Sequence, residues 1–281
     1  MKIIDGKALA AKIQAKLKKE VAEMSVQPGL VAIMVGNDPA SQIYVRGKER
    51  DADKIGIRSN IVRLPEDTTE EELLKVISRY NQDPLWHGII VQLPLPAHIN
   101  EENVLMKILP EKDVDGFHPL NMGLLWAGKA VMVPSTPAGI MAMFKDYKVT
   151  LKGKKAVVVG RSNIVGKPIA QLMMMENATV TIAHSQTQNL SDLTRQADIL
   201  VVAIGSDRFI KADDVKPGAV VIDVGMNRGD GGKLHGDVDF ENVKEVAGLI
   251  TPVPGGVGPM TRTMLMKQTV EAAKRSLKNV E

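Results

Sequence analysis

Residues 154–175 read KKAVVVGRSNIVGKPIAQLMMM. The apolar run Ala156–Val159 predicts a strand buried in a parallel sheet. It stops at Gly160, and an apolar-periodic helix begins near Val165, leaving a tight turn with Gly160, Ser162 and Gly166. Strand, glycine turn and helix start together predict an anion site, because the first N–H groups of a helix have no partner within it. The turn departs from G-x-G-x-x-G: serine stands at the second glycine position, and the next glycine follows four residues later. An ordinary βα turn of a parallel sheet also fits the stretch on its own.

Working outward, the same alternation recurs on both sides. After the stretch come strands near 178–184, 198–204, 219–224 and 249–253, with helices near 189–197 and 240–246 and a terminal helix from Pro259 to about Lys278. Before it, residues 8–24 show Leu9, Ile13, Leu17 and Val21 on one helical face. Strands follow at Leu30–Val35, Arg58–Leu64 and His87–Leu93. Asp38 and Pro39 read as the cap and first turn of a helix to about Lys54. Thr68 and Glu71 read as a capping box, and Asn100 as the cap of a helix to Leu109. A proline- and glycine-rich connection spans PEKDVDGFHP and MVPSTPAG, and a helix from Pro137 to Tyr147 leads into the second half. The fold class is α/β: two α/β units joined near residue 137, the second a Rossmann-like parallel sheet, with a cleft between them in which ligands meet the carboxyl ends of the strands.

Composition narrows the chemistry. The chain has 281 residues and no cysteine, which excludes disulfides, thiolate catalysis and cysteine-ligated zinc. The five histidines, His87, His98, His118, His184 and His235, show no ligand spacing, so no metal is expected. A formal charge of +3 is too weak and dispersed to indicate nucleic acid. The charged start MKIIDGKALAAK is no signal peptide, and no apolar run is long enough to span a membrane. The 15 methionines fit a role as core fillers.

Several residues are candidates for chemistry. Tyr44 and Lys48, four apart on one predicted helix, share a face and form a workable acid–base pair, although a solvated lysine over a packed tyrosine has the same spacing. Gln92 ends the run GIIV, where a side chain that both donates and accepts can reach a ligand. Asp113 and Asp115 in KDVDG face a ligand or make an Asx-turn. In PVPGGVGP (252–259), without helix or strand pattern, Gly255 and Gly256 let backbone approach a planar ligand. The strand after the glycine turn ends at His184-Ser185, without the acid that would bond ribose hydroxyls. With Arg161 in the turn, this predicts NADP: a charged hydrogen bond contributes roughly 1.5–3 kcal/mol, against about 0.3–1 kcal/mol from the helix dipole.

YVRGK, VQLPLP, KDVDGFHP, GRSNIVGKP and TPVPGGVGPMT together resemble, in order and spacing, the bifunctional methylenetetrahydrofolate dehydrogenase/methenyltetrahydrofolate cyclohydrolases. The resemblance covers nearly the whole chain. It implies a folate-binding catalytic domain over 1–136, completed by the C-terminal helix 260–281, and an NADP-binding domain over 137–259. It implies a cytoplasmic homodimer, formed through the cofactor domains, in one-carbon metabolism and purine biosynthesis, acting on tetrahydrofolate one-carbon derivatives. By motif match it makes Lys48 the cyclohydrolase lysine, with Tyr44 packing on folate, Gln92 supporting Lys48 and Asp115 binding the pterin. Pro254, Gly255 and Gly256 would line the folate site. Gly160, Arg161, Ser162 and Ser185 would contact the cofactor, with Met226 and Thr251 nearby. Two positions depart from the family pattern: Ser135 stands where P-C-T-P is common, and Arg50 where lysine is common. The architecture alone also suits an NAD(P)-dependent dehydrogenase of an amino or hydroxy acid, or a nucleotide-binding sensor.

Overall fold

The computed structural model describes residues 2–229 and 232–278. It divides the chain into two compact units. One comprises residues 12–135 and 262–281, the other 1–11 and 136–261. The last three residues of the expected C-terminal segment 260–281 lie outside the described residues.

The first unit carries a three-stranded parallel sheet in the order β3 (Arg58–Leu64), β2 (Gly29–Val35), β4 (Gly88–Val91). All seven residues of β2 are buried, as a central strand covered on both faces requires. Alternation sorts its side chains into two cores. Leu30, Ala32 and Met34 pack with Leu17 and Val21 of α1 (Gly6–Ala22), with Val45, Ala52 and Ile55 of α2 (Pro39–Ile55), and with Leu265, Met266 and Val270 near the C-terminus. Val31, Ile33 and Val35 pack on the other face with Leu73 and Ile77 of α3 (Glu70–Gln82) and Val104 of α4 (Glu101–Lys107). Truncating a buried isoleucine such as Ile33 to alanine costs about 2–5 kcal/mol.

Local signals set the helix ends. The Asp38 carboxylate accepts from Ser41 N at 2.7 Å with Pro39 in the first turn, and Gly56 at φ +91° ends α2. The capping box lies one residue later than the sequence suggests. Thr69 Oγ1 accepts from Glu72 N at 3.3 Å and Glu72 Oε2 accepts from Thr69 N at 2.9 Å. Two overlapping T-x-x-E patterns exist, and Thr68 is instead buried, its N–H bonded to Pro65 O. The proline-rich connection also holds a helix that the pattern did not predict, α5 (Pro119–Trp126), capped by His118 Nδ1 accepting from Leu120 N at 3.0 Å. Next comes α6 (Ser135–Asp146).

The second unit carries a six-stranded parallel sheet, built from β5 (Lys155–Val159), β6 (Thr179–Ala183), β7 (Ile199–Val202), β8 (Val220–Asp223), β11 (Leu249–Ile250) and β1 (Lys2–Ile3). Their order is β1-β11-β8-β7-β5-β6. The strand order reverses between β5 and β7, the point where open α/β sheets bind ligands. Its helices include α7 (Gly166–Met175), α8 (Leu190–Thr194) and α9 (Phe240–Val243). Two elements are too short to show a sequence pattern: β1, which adds the N-terminus to this sheet beside β11, and the antiparallel pair β9 (Asn227–Arg228) and β10 (Leu234–His235). The segment 1–11 therefore groups with the six-stranded unit, not with the first half of the chain. The final helix α10 (Val257–Lys278) starts inside PVPGGVGP, so Val257, Gly258 and Pro259 are its first turn and not an irregular loop. Among the described residues no helix is long and apolar enough to cross a membrane.

Candidate active site

In the three-stranded unit, α2 follows β2 and places Tyr44 and Lys48 one turn apart. Gln92 leaves the carboxyl end of β4, its N–H still bonded to Ile33 O at 2.8 Å. The KDVDG segment runs beside β4 through the parallel bridge Ile89–Asp113 and the bond from Ile89 N to Lys112 O at 2.8 Å. That pairing carries Asp115 to the edge where Gln92 emerges. Lys48 Nζ donates to Gln92 Oε1 at 3.2 Å, and Gln92 Nε2 donates to Leu93 O at 2.8 Å, which fixes the amide. Burial draws the Lys48 ammonium below its ordinary value, with the nearby Asp115 charge opposing the shift. Burial likewise pushes the Asp115 carboxyl up, with Lys48 opposing it and Asp113 adding to it. Tyr44 remains 37% exposed.

The two aspartates of KDVDG are thereby told apart. Asp113 is buried and accepts from Gly116 N (3.1 Å), Phe117 N (3.2 Å), His118 N (2.8 Å) and Asn121 Nδ2 (2.8 Å). It makes the turn, and Asp115 is left to Lys48. Gln268 on α10 was missed by sequence reasoning. Its Nε2 donates to Val114 O at 2.8 Å and to Ser135 Oγ at 3.1 Å, bracing the residue beside Asp115. No local signal could find it, because the contact spans 154 residues. Ser135, at the position where family members often have cysteine, is buried and structural here.

In the six-stranded unit, Val159 pairs with Ala183, so the turns after β5 and β6 leave the sheet side by side. These turns hold Gly160, Arg161 and Ser162, and Ser185; all but Gly160 are exposed. Gly160 has φ +127°, and a Cβ there would lie 2.3 Å from Ala203 O, so only glycine allows this turn. The helix start is not the open anion site that the sequence suggests. Ser162 Oγ accepts from Val165 N (3.2 Å) and Gly166 N (3.3 Å), Ser162 O accepts from Lys167 N (3.0 Å), and Pro168 has no N–H. The groups that fit a nucleotide phosphate are instead the Arg161 guanidinium and the donor proton that the Ser162 hydroxyl retains.

The remaining candidates also lie in this unit. Met226 is 44% exposed. Thr251 is fully buried and its Oγ1 accepts from Asp223 N at 2.7 Å, so its side chain serves the sheet. Pro254 is exposed, and Gly255 has φ +106° with its carbonyl accepting from Lys7 N at 3.0 Å. Gly256 is needed for its own chain's packing: a Cβ there would lie 2.5 Å from Pro252 O, and one on Gly6 would lie 1.9 Å from Gly256 O. A cavity of about 320 Å³ opens at the opposite, amino edge of the sheet, lined in part by Lys154, Asp198 and Lys216, and includes none of these residues. Among the described residues no cluster of histidine, aspartate and glutamate could hold a metal ion.

Comparison with known proteins gives a consistent result. Residues 4–115 match the tetrahydrofolate dehydrogenase/cyclohydrolase catalytic domain, and residues 134–277 match the NAD(P)-binding domain of the same family. The chain is 70% identical over 280 residues to the bifunctional protein FolD of Lactococcus lactis subsp. cremoris, covering 99% of this chain and 98% of that protein. Its fold is similar to that of the bifunctional FolD methylenetetrahydrofolate dehydrogenase/cyclohydrolase from Campylobacter jejuni, with a TM-score of 0.96 and 47% identity over 98% of this chain and 99% of that one. It is also similar to the Trypanosoma brucei methylenetetrahydrofolate dehydrogenase-cyclohydrolase complexed with NADP cofactor and inhibitor, with a TM-score of 0.94 and 41% identity over 98% of each. Sequence motifs, fold and matched domains converge: the chain belongs to the tetrahydrofolate dehydrogenase/cyclohydrolase family.

Proposed function

We propose that the chain oxidises methylenetetrahydrofolate to methenyltetrahydrofolate with NADP and then hydrolyses the methenyl group to formyltetrahydrofolate. NADP, when bound, supplies the hydride acceptor. Family membership supports the two activities, and the desolvated cluster of Lys48, Gln92 and Asp115 is the observation that carries the hydrolytic step. A lysine whose pKa is lowered by burial reaches its neutral form more readily and becomes a base. Water adding to the electrophilic methenyl carbon must lose a proton. Lys48 takes it, held in position by Gln92 Oε1, and returns it to the nitrogen that leaves as the ring opens; the remaining hydroxyl proton passes to solvent as the carbonyl forms, which removes the positive charge of the methenyl group. Asp115 anchors the pterin by accepting from its N–H groups, and Tyr44 packs against the folate. Arg161 and Ser162, with Ser185 in the adjacent turn, hold the cofactor phosphate.

Mixing the protein with methylenetetrahydrofolate and NADP tests this reading. NADPH and methenyl absorbance rise together, and the methenyl absorbance then decays; absence of both discards it. The chain acts as a homodimer, a reading supported by β6 at the sheet edge beside Met174 and Met175, which are 48% and 45% exposed. A monomer mass by light scattering at micromolar concentration refutes that part. The product suits a cytoplasmic place in one-carbon supply, as purine biosynthesis requires.

A further inference from the structure

Two buried carboxylates lie at the carboxyl edge of the six-stranded sheet, and neither belongs to the proposed chemistry. Asp237 is fully buried. Its Oδ2 accepts from Ile204 N (2.7 Å) and Gly205 N (3.0 Å), and its Oδ1 from Ser206 N (2.8 Å) and Asn227 Nδ2 (2.9 Å). Asp223, the last residue of β8, accepts from Gly225 N (3.0 Å) and Asp237 N (2.9 Å) through Oδ1 and from Val238 N (3.0 Å) through Oδ2. The backbone is wrapped tightly around both groups. A Cβ on Gly225 would lie 2.2 Å from Asp237 Oδ1, and one on Gly236 would lie 1.7 Å from Asp223 Oδ2.

The place of this knot gives it meaning. Three successive N–H groups converging on one anion form a nest, the arrangement that elsewhere holds phosphate. Here the Asp237 carboxylate fills the nest, so these donors are closed to a ligand and what the loop offers is its shape. That loop, Ile204–Ser206, directly follows Ala203, whose carbonyl forces glycine at position 160 in the cofactor turn. Both therefore flank the β5/β7 reversal. The same knot ties both neighbours of Met226, through Gly225 N and Asn227 Nδ2.

We propose that Asp237 is a positioning residue for NADP, its carboxylate holding the Ile204–Ser206 loop and the Met226 segment in the shape that admits the cofactor. The proposal rests on the reading that NADP binds at the β5/β7 reversal, and its test separates the two. In the cofactor-free protein, amide exchange at residues 204–206 is slow in wild type and at least about ten-fold faster in Asp237→Asn, since an amide cannot accept from all four donors. In the same variant the NADP Kd by calorimetry and the NADP KM both rise at least about ten-fold, while kcat at saturating NADP and methenyl hydrolysis stay within about three-fold. Asn227→Ala keeps the carboxylate and removes one donor, so it serves if the first variant does not fold; its NADP Kd rises about two- to five-fold. An unchanged NADP Kd in either folded variant overturns the proposal, as does an equal loss of hydrolysis and NADP binding, which marks a purely structural role. Wild-type protein that does not bind NADP overturns the underlying reading instead.

Discussion

In the three-stranded unit, Asp113 accepts four hydrogen bonds while Asp115, two residues on, is left to the Lys48 charge in a desolvated site. In the six-stranded unit, both Asp223 and Asp237 are saturated with donors. The same side chain thus does two jobs. A carboxylate ringed by backbone N–H groups builds a loop. One set beside a lysine in a desolvated site faces the chemistry instead, its carboxyl pushed up by burial and drawn back down by the lysine charge. By this criterion the first unit contains one structural and one chemical aspartate, and the second two structural ones.

Breaking the saturated member of the first pair gives the largest expected effect. Asp113→Ala strips Phe117 N and His118 N of their acceptor, while Gly116 N keeps Asp113 O and Asn121 Nδ2 keeps Pro110 O; unfolding in urea is expected to show a loss of about 2–4 kcal/mol. Asp115→Asn, by contrast, changes stability by less than about 1 kcal/mol, because a neutral amide suits a desolvated site, yet it removes the pterin anchor. Equal destabilisation by the two substitutions would erase the distinction.

A second test uses pH. Burial pushes Asp223 up from 3.8 to about 7, with the neighbouring Asp237 charge adding to the shift and three backbone donors opposing it. Between those values the folded protein retains a proton that the unfolded chain has lost. Stability from this group is therefore present below pH about 4 and declines as pH rises through about 7. Asp223→Asn flattens that part of the profile in urea titrations; an unchanged slope would assign it to another group.

Smaller effects sharpen the contrast between the units. Arg161→Ala is expected to lower the NADP-to-NAD efficiency ratio by about 1.5–3 kcal/mol, the range of one charged hydrogen bond. An unaltered ratio would show that another group reads the phosphate. Thr69→Ala removes the α3 cap and costs about 1 kcal/mol of stability with both activities intact. A null effect on the urea midpoint would mean that α3 is held by its packing alone.

Much of this was legible in the sequence, and the omissions have physical causes. Strand–helix alternation, the Asp38-Pro39 start of α2 and the Gly160 turn are local signals, and the structure carries them where the sequence places them. The sheet membership of β1 depends on β11, more than 240 residues away, and two-residue strands have no period to read. Asp113 and Asp115 are indistinguishable by type and motif, because what separates them is which carboxylate the 116–118 turn encloses. The Ser162 cap on α7 replaced an expected opening with a closed helix end, since a serine side chain can fill the place imagined for a phosphate. In α5, the His118-Pro119 start was readable but hidden within a stretch whose prolines and glycines suggested a loop.

The central claim is that a water-stripped lysine, steadied by Gln92 and Asp115, handles the proton of methenyl hydrolysis independently of the cofactor unit. Lys48→Met tests it most directly, assayed for methenyl hydrolysis and, separately, for NADP binding by calorimetry. Hydrolysis is predicted to fall about 10²- to 10⁴-fold while the NADP Kd is unchanged. Hydrolysis at the wild-type rate in a folded Lys48→Met protein would contradict the account.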